Sequence, residues 1–393
     1  MKVRVFGDVC LAGEPEKVLS TDAGSLWDKL PIERSPRDVL IANVENAFCE
    51  AGQPRPYKWA NLRAAPVSAR LLRGLDVGVI ANNHVGDFGE IGMRETLETL
   101  NHNGIATVGY GENIEAACRP LIIEREGVKL AVLAQCCPTT NGENYATHTH
   151  EGVAMLSVKL LRDNIAAARS QADAVLVYLH WGCERIHEAV PEQVRIGRLA
   201  VKFGADAVVG CHGHVIQSYE CYDRRWVFHG LGNFLFGAVT FQAVSHQREV
   251  VTGRHDQLFS NQESLVADFE LLDARPGERL HLTCLQPFRF GADFVPRPIG
   301  WKELTFNLNA VNRQLARYTA VHASALQSEH EPVFRAEVRN GILAYWYSHS
   351  PIRRSLRERG LRKVLRLAKH LSGWRRFQAS SRAAEQTGAT ESR

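Results

Sequence analysis

A layered protein of the α/β or closely related α+β class is predicted by three features of the sequence. Short apolar runs rich in Val, Ile and Leu alternate with helix-length amphipathic segments through about the first 240 residues. Gly, Asn or Asp bounds each run, as expected of strands buried on both faces. Polar residues able to do chemistry stand directly behind the runs, where a layered sheet places its ligand-binding edge.

The strand candidates are VRVF (3–6), DVLIA (38–42), DVGVIA (76–81), KLAVLA (129–134), AVLVYL (174–179) and DAVVG (206–210). Between them, IGMRETLETLNHNG (91–104) puts Ile91, Thr96, Leu97 and Leu100 near one helical face and ends in Asn-Gly, a C-cap signal. SVKLLRDNIAAARSQ (157–171) and PEQVRIGRLAVKFG (191–204) repeat the form, the latter with Pro191 at its start and Gly204 after its end. Residues 240–263 are polar and irregular and read as a mobile loop. SLVADFELLD and RLHLTCLQPF then read as an antiparallel pair closing the sheet. From Lys302 to about Tyr347 the pattern is helical, and 378–393 is too poor in apolar residues to fold.

At 393 residues the chain can bury a large core, and 45% hydrophobic with 23% charged residues excludes chain-wide disorder. Net charge is +4, but Pro351 to Arg376 holds ten Lys or Arg against one acid, so that segment carries +9 and the remainder −5. Within it, Leu361, Val364, Leu365, Ala368 and Leu371 form one helical stripe, opposite Arg362, Lys363, Arg366 and Lys369. Residues 351–377 therefore fit either a helix lying in a membrane interface or one packing its stripe on the body. No stacking platform or recognition element suggests a specific nucleic acid. MKVRVFGDVC enters a β-rich run without a signal-peptide pattern, and no run approaches the roughly 18–20 apolar residues of a membrane span. Nine cysteines without a CxxC pair fit reduced thiols. A cytoplasmic location is expected, peripheral to the inner membrane surface if the basic helix binds lipid.

Behind VRVF comes Asp8; behind DVLIA, Asn43 and Glu45; behind DVGVIA, Asn82, Asn83, His84 and then Asp87. Behind AVLVYL comes His180, and behind DAVVG come His212 and His214. Singly, a helix cap, a turn or a satisfied core histidine explains each. Together they are desolvated polar groups that require satisfaction, which a cation provides most directly. Carboxylate, imidazole and amide oxygen suit Mn, Fe, Zn or Ni, and this many donors suits two ions sharing a bridging carboxylate. No G-x-S-x-G elbow, Walker loop, H-E-x-x-H or G-x-G-x-x-G motif offers another chemistry.

The ordered set GDV, NVE, ANNHVGDFG, LHWGCE, GCHGHV and HGLGNF resembles the bacterial CapA or poly-γ-glutamate capsule biosynthesis family, within the calcineurin-like metallophosphoesterase superfamily. The resemblance covers about residues 1–290 and implies a four-layer α/β/β/α sandwich of the α+β class, here with helical extensions at 301–350 and 351–377. It implies two divalent metal ions, one on Asp8 and His214, the other on Asn83, His180 and His212, with Glu45 bridging. His84 would stabilise charge or protonate the leaving oxygen, and a water between the ions would be the nucleophile. Asn43, Asn82, Asp87, Glu184 and Asn233 are expected around these, supporting ligands or meeting substrate. The implied role is in capsule or exopolysaccharide-type polymer synthesis. The partner would be an anionic polymer or its phosphorylated precursor, and a membrane synthase if the chain is an accessory subunit.

Two departures stand out. Cys10 occupies the place of a metal-binding histidine in the superfamily's first motif, and GCHGH replaces the family's usual GHHPH, with Cys211 for the outer histidine. Cys10, Cys183 and Cys211 near this edge are either thiolate ligands or small packing residues. His148 and His150 fall in a loop, facing solvent or touching substrate.

Overall fold

The computed structural model describes residues 1–327 apart from 22–23, 57, 59, 141–143, 246–247, 258, 273–278 and 323–324. The basic segment 351–377, the tail 378–393 and the part of the helical extension beyond 327 lie outside the described residues.

In chain order the first half provides β1 (Lys2–Cys10), β2 (Val39–Val44), β3 (Asn61–Ala64), β4 (Val77–Val79), α1 (Gly89–His102) and β5 (Ala106–Val108). Then come β6 (Leu121–Arg125), β7 (Val128–Cys136), α2 (Val158–Arg169), β8 (Ala174–His180), α3 (Pro191–Phe203) and β9 (Ala207–Cys211). The rest supplies β10 (Tyr219–Tyr222), β11 (Arg225–Phe228), β12 (Asn233–Phe236), β13 (Val239–Val244), β14 (Val250–His255), β15 (Glu263–Leu271), β16 (Leu280–Phe290), β17 (Pro296–Pro298) and α4 (Leu308–Val321).

Two large sheets organise these elements. The first runs β17-β16-β15-β1-β2-β4-β5, with β12 also paired to β1; the second runs β10-β11-β9-β8-β7-β6. Both are mixed: β1, β2, β4 and β5 are parallel, as are β7, β8, β9 and β11, with antiparallel strands at the edges. The Tyr178 hydroxyl on β8 donates 2.6 Å to the Phe6 carbonyl on β1, tying the two sheets face to face. Helix α1 covers the outside of the first sheet and α2 with α3 cover the outside of the second, which is the four-layer α/β/β/α order of an α+β protein. Val3, Val5, Ile41, Val77, Val132, Leu176, Val177 and Val208 are fully buried, and each such side chain stabilises the fold by ~1.5–3 kcal/mol.

The helix ends follow the sequence signals. Ser157 caps α2 by accepting the Leu160 N–H, Pro191 opens α3, and Gly204 closes it at φ 113°, a left-handed position suited to glycine. Helix α1 buries Gly92, Met93, Thr96 and Leu100, but Ile91 is 60% exposed. The apolar periodicity misplaced Ile91 because the helix begins at Gly89 and its inner face is drawn through Met93.

Within 240–263 the described residues are not one irregular loop. Residues 240–244 and 250–255 belong to β13 and β14, paired from Val239↔His255 to Val244↔Val250, and β13 also pairs with β3 through Phe241↔Leu62. These strands are half-exposed, so no continuous apolar run marks them. SLVADFELLD and RLHLTCLQPF do pair antiparallel, as β15 and β16. Beyond them β17 extends the sheet, and the Asn312 side chain of α4 accepts the Tyr219 N–H at 3.0 Å, joining that helix to β10 within one compact unit, Met1–Pro332.

Candidate metal centre

The parallel strands of both sheets end along one seam between the layers. Pairing around β1 shifts register between Val5 and Asp8 on the β2 side and between Asp8 and Val9 on the β12 side, an irregularity of the kind that re-aims a side chain. Asp8 is fully buried; one carboxylate oxygen accepts from Asn43 Nδ2 at 2.8 Å, the other from the His212 N–H at 3.2 Å. The same Asn43 amide reaches Glu45 Oε2 at 3.2 Å, holding two carboxylates together. Asn43 Oδ1 in turn accepts from Asn82 Nδ2 at 3.1 Å. Asn82 Oδ1 accepts the N–H groups of His84 and Val85, closing a turn that presents Asn83 and His84.

From the second sheet, His180 at the end of β8 places Nε2 2.8 Å from Asn83 Oδ1 and 3.7 Å from Glu45 Oε1. His212 and His214 follow β9 in left-handed backbone conformations, φ 90° and 54°. For non-glycine residues that costs ~1–3 kcal/mol each and is typical of functional turns. The His214 Nδ1–H donates to Asn233 Oδ1 at 3.0 Å, which leaves Nε2, 3.8 Å from Glu45 Oε1, as its free lone pair. The Asn233 amide is itself fixed by donating to the Asn261 carbonyl at 2.8 Å.

Among the described residues, four groups of donors have ligand atoms within 4.8 Å of one another, and two of them share a carboxylate: Asp8, Glu45 and His214, and Glu45, His180 and His212. Glu45 belongs to both. Asp8, Glu45, Asn83, His180, His212 and His214 thus meet in one pocket, with Asn43, Asn82, Asp87 and Asn233 behind them; all ten are buried. Glu184 is the exception, exposed at the rim, with a carboxylate oxygen within 4.8 Å of ring nitrogens of His212 and His214.

The electrostatics of this pocket are unsatisfied without a cation. Burial pushes the Asp8 carboxyl above the usual range, and burial with the neighbouring Asp8 and Glu184 pushes Glu45 well above it. Burial drives the His180 imidazole well below its ordinary value and that of His212 down to about 3. Glu45 Oε1 and His212 Nδ1 are buried with no hydrogen-bond partner. Neutral imidazoles beside carboxylates short of positive charge are the state that divalent metal ligation requires, so the donor set fits.

His84 lies beside this set. Its Nδ1 is 2.7 Å from Asp87 Oδ2, and Asp87 also accepts the Leu62 N–H at 2.6 Å. Lys58, which no sequence pattern marked, forms an ion pair with Asp87 and bonds the Asn83 carbonyl. Burial would raise Asp87, but Lys58 and His84 outweigh it and hold the carboxyl below the usual range. Burial and Lys58 together lower His84.

The cysteines divide. Cys10 is fully buried among Ala12, Ala60, Leu62, Phe236 and Val239, a packing residue. Cys183 is half-buried, and Cys211 stands 3.1 Å from His180 Nδ1. All nine cysteines are free. His148 and His150 are exposed, with His148 paired to Glu115 at 2.8 Å.

The chain is similar to the PGA biosynthesis protein CapA of Bacillus subtilis, 29% identical over 237 residues that cover 58% of this chain and 62% of that protein. It is also similar to the capsule biosynthesis protein CapA of Bacillus anthracis, 32% identical over 167 residues, 42% of this chain and 40% of that one. The matched region therefore spans about two fifths to three fifths of these relatives. A solved structure described as a novel phosphatase from Mycoplasma pneumoniae overlaps at a TM-score of 0.44 and 12% identity, covering 79% of this chain and 98% of that one, too loosely to bear on mechanism. The model of the family described as bacterial capsule synthesis protein PGA_cap matches residues 2–238, and the chain belongs to that family.

Proposed function

We propose that this protein is a metal-dependent hydrolase of the phosphoesterase type that acts on a phosphoester or related bond. Its substrate would be an anionic polymer of the capsule or poly-γ-glutamate kind, or the phosphorylated precursor of one. Glu45 carries the reading: a fully buried carboxylate oxygen without a hydrogen-bond partner, 3.7 and 3.8 Å from the Nε2 atoms of His180, at the end of β8, and His214, beyond β9. Asp8, Glu45 and His214 would hold one divalent ion, and Glu45, Asn83, His180 and His212 the other. The mixed donors suit Mn, Fe, Zn or Ni. Bound there, such ions supply Lewis acidity and make water acidic enough to attack near neutral pH.

The rest of the chemistry belongs to side chains. With Nδ1–H held by Asp87, His84 has Nε2 available to exchange a proton with a leaving oxygen. Lys58 and the Leu62 N–H fix Asp87, and so the ring. Exclusion of chelators during purification should leave about two ions per chain, falling to about one in His180→Ala. His84→Ala should abolish turnover of a generic phosphodiester with metal content unchanged. Wild-type protein free of transition metal would overturn the assignment.

A second reading has one observation in its favour. Cys10 stands where the superfamily places a ligand and packs against apolar side chains, which leaves the first ion only Asp8, Glu45 and His214. A chain so equipped could be an accessory subunit that binds an anionic polymer for a membrane synthase. It would then turn over no phosphodiester with any of the four metals yet retain the polymer in a pull-down.

A further inference from the structure

His180 can give Nε2 to a metal ion only if its proton sits on Nδ1, and the group facing Nδ1 is unusual. It is the thiol of Cys211, 3.1 Å away, at the matched register position on the neighbouring strand, where His180↔Cys211 pair across β8 and β9. Both residues are shielded from solvent: the exposure of Cys211 is 0%, and that of His180 is 1%. The Cys211 sulfur also lies 3.7 Å from the Leu179 carbonyl, and donor atoms of Asp8, His180 and Cys211 all fall within 4.8 Å of one another.

We propose that Cys211 is a positioning residue for the metal centre: its sulfur accepts the Nδ1–H of His180 and thereby fixes the tautomer and orientation that present Nε2 to the second ion. The role is the one a carboxylate or backbone carbonyl ordinarily plays behind a metal-bound histidine. Because its own S–H is directed at the Leu179 carbonyl, the thiol can accept from His180 without carrying a thiolate charge. Geometry argues against direct ligation by the sulfur. It lies on the Nδ1 side of the ring, while Asn83 and Glu45 lie on the Nε2 side. The substitution that distinguishes this chain from the usual GHHPH sequence thus changes the support of a ligand.

The inference rests on the metal reading above, and one set of titrations separates the two. Full-length wild type, Cys211→Ala and Cys211→Ser are stripped of metal, checked for equal apo melting temperature, and titrated with Mn2+ and Zn2+ by calorimetry. Cys211→Ala should lose about 10-fold or more in affinity at one of two ions, within the range that supporting residues command, while Cys211→Ser, which keeps an acceptor, recovers most of it. Equal affinity in wild type and Cys211→Ala overturns this inference and leaves the metal centre standing; a wild type that binds neither ion overturns both. Should Cys211→Ala not fold, the 15N shifts of the His180 ring in Zn2+-loaded wild type decide the matter. A protonated Nδ1 supports the proposal and an unprotonated one overturns it. A sulfur-to-cobalt charge-transfer band in the Co2+ form would also overturn it, since the thiol would then be a ligand.

Discussion

Glu45 is destabilising where it stands in the metal-free chain, because a buried carboxylate oxygen with no partner retains its desolvation cost. Glu45→Gln should therefore raise the stability of the apo protein by about 1–2 kcal/mol in a denaturant titration with chelator present. The same change should remove most metal binding; an apo form made less stable would contradict the account. Two histidines away from the pocket make a separate prediction about acid. Burial lowers both His229, whose Nδ1 bonds the Ser218 carbonyl, and His187, stacked on Phe306. Their folded values lie below the unfolded one of ~6.5. The unfolded chain thus binds more protons, and their contribution to stability is complete above ~6.5 and lost as pH falls below it. His229→Gln should flatten the loss of melting temperature between about pH 6.5 and 5. At this scale, what was legible in the sequence depended on position behind a strand. Asp8, Glu45, Asn83, His180 and His214 each follow an apolar run, so the strand pattern located them. Lys58 follows none; it reaches Asp87 from an irregular stretch ahead of β3, and only tertiary structure brings it there.

Elements in the interior were legible and elements at the margin were not, for one physical reason. A strand buried on both faces must be apolar throughout, so β1, β2, β8 and β9 announce themselves. The hairpin β13–β14 is half-exposed and is stabilised by pairing with β3, a partner about 180 residues earlier, so its own composition carries little signal. The helix caps were readable because they are local chemistry, as Ser157 and Gly204 show. The crossing of β1 between β2 and β12 makes an element-scale prediction. A Cβ on Gly7 would lie 1.9 Å from the Gly232 carbonyl oxygen, the same oxygen that accepts the Asp8 N–H at 2.9 Å. Both contacts are backbone, so no side-chain rotation relieves the clash. Gly7→Ala should cost about 3 kcal/mol or more and displace Asp8, so that metal affinity falls together with the melting temperature. Unchanged stability would mean that β1 and β12 are not packed this closely.

For the molecule as a whole, charge distribution bears on where the protein works. Among the described residues no helix is long and apolar enough to cross a membrane. If the chain acts beside a membrane synthase, its attraction to a lipid surface has to come from elsewhere. The body cannot supply it: outside Pro351–Arg376 the chain sums to −5, which an anionic bilayer repels. The +9 of that segment can, because each Lys or Arg near an anionic surface contributes ~1 kcal/mol, and the sequence spaces Leu361, Val364, Leu365 and Leu371 so that one helical face could enter the interface. The competing role, an apolar stripe packed on the protein, would keep that stripe out of the interface and leave only the weaker, salt-sensitive attraction of the same cations. Sedimentation of the full chain with phosphatidylglycerol vesicles, against phosphatidylcholine vesicles and against a chain ending at residue 350, separates them. Lipid binding predicts that only the full chain pellets, only with the anionic lipid, and that it is released as salt shortens the Debye length from ~8 Å at 0.15 M to ~3 Å at 1 M. Equal pelleting of the two chains would remove the membrane role from the segment and return its apolar stripe to the protein interior.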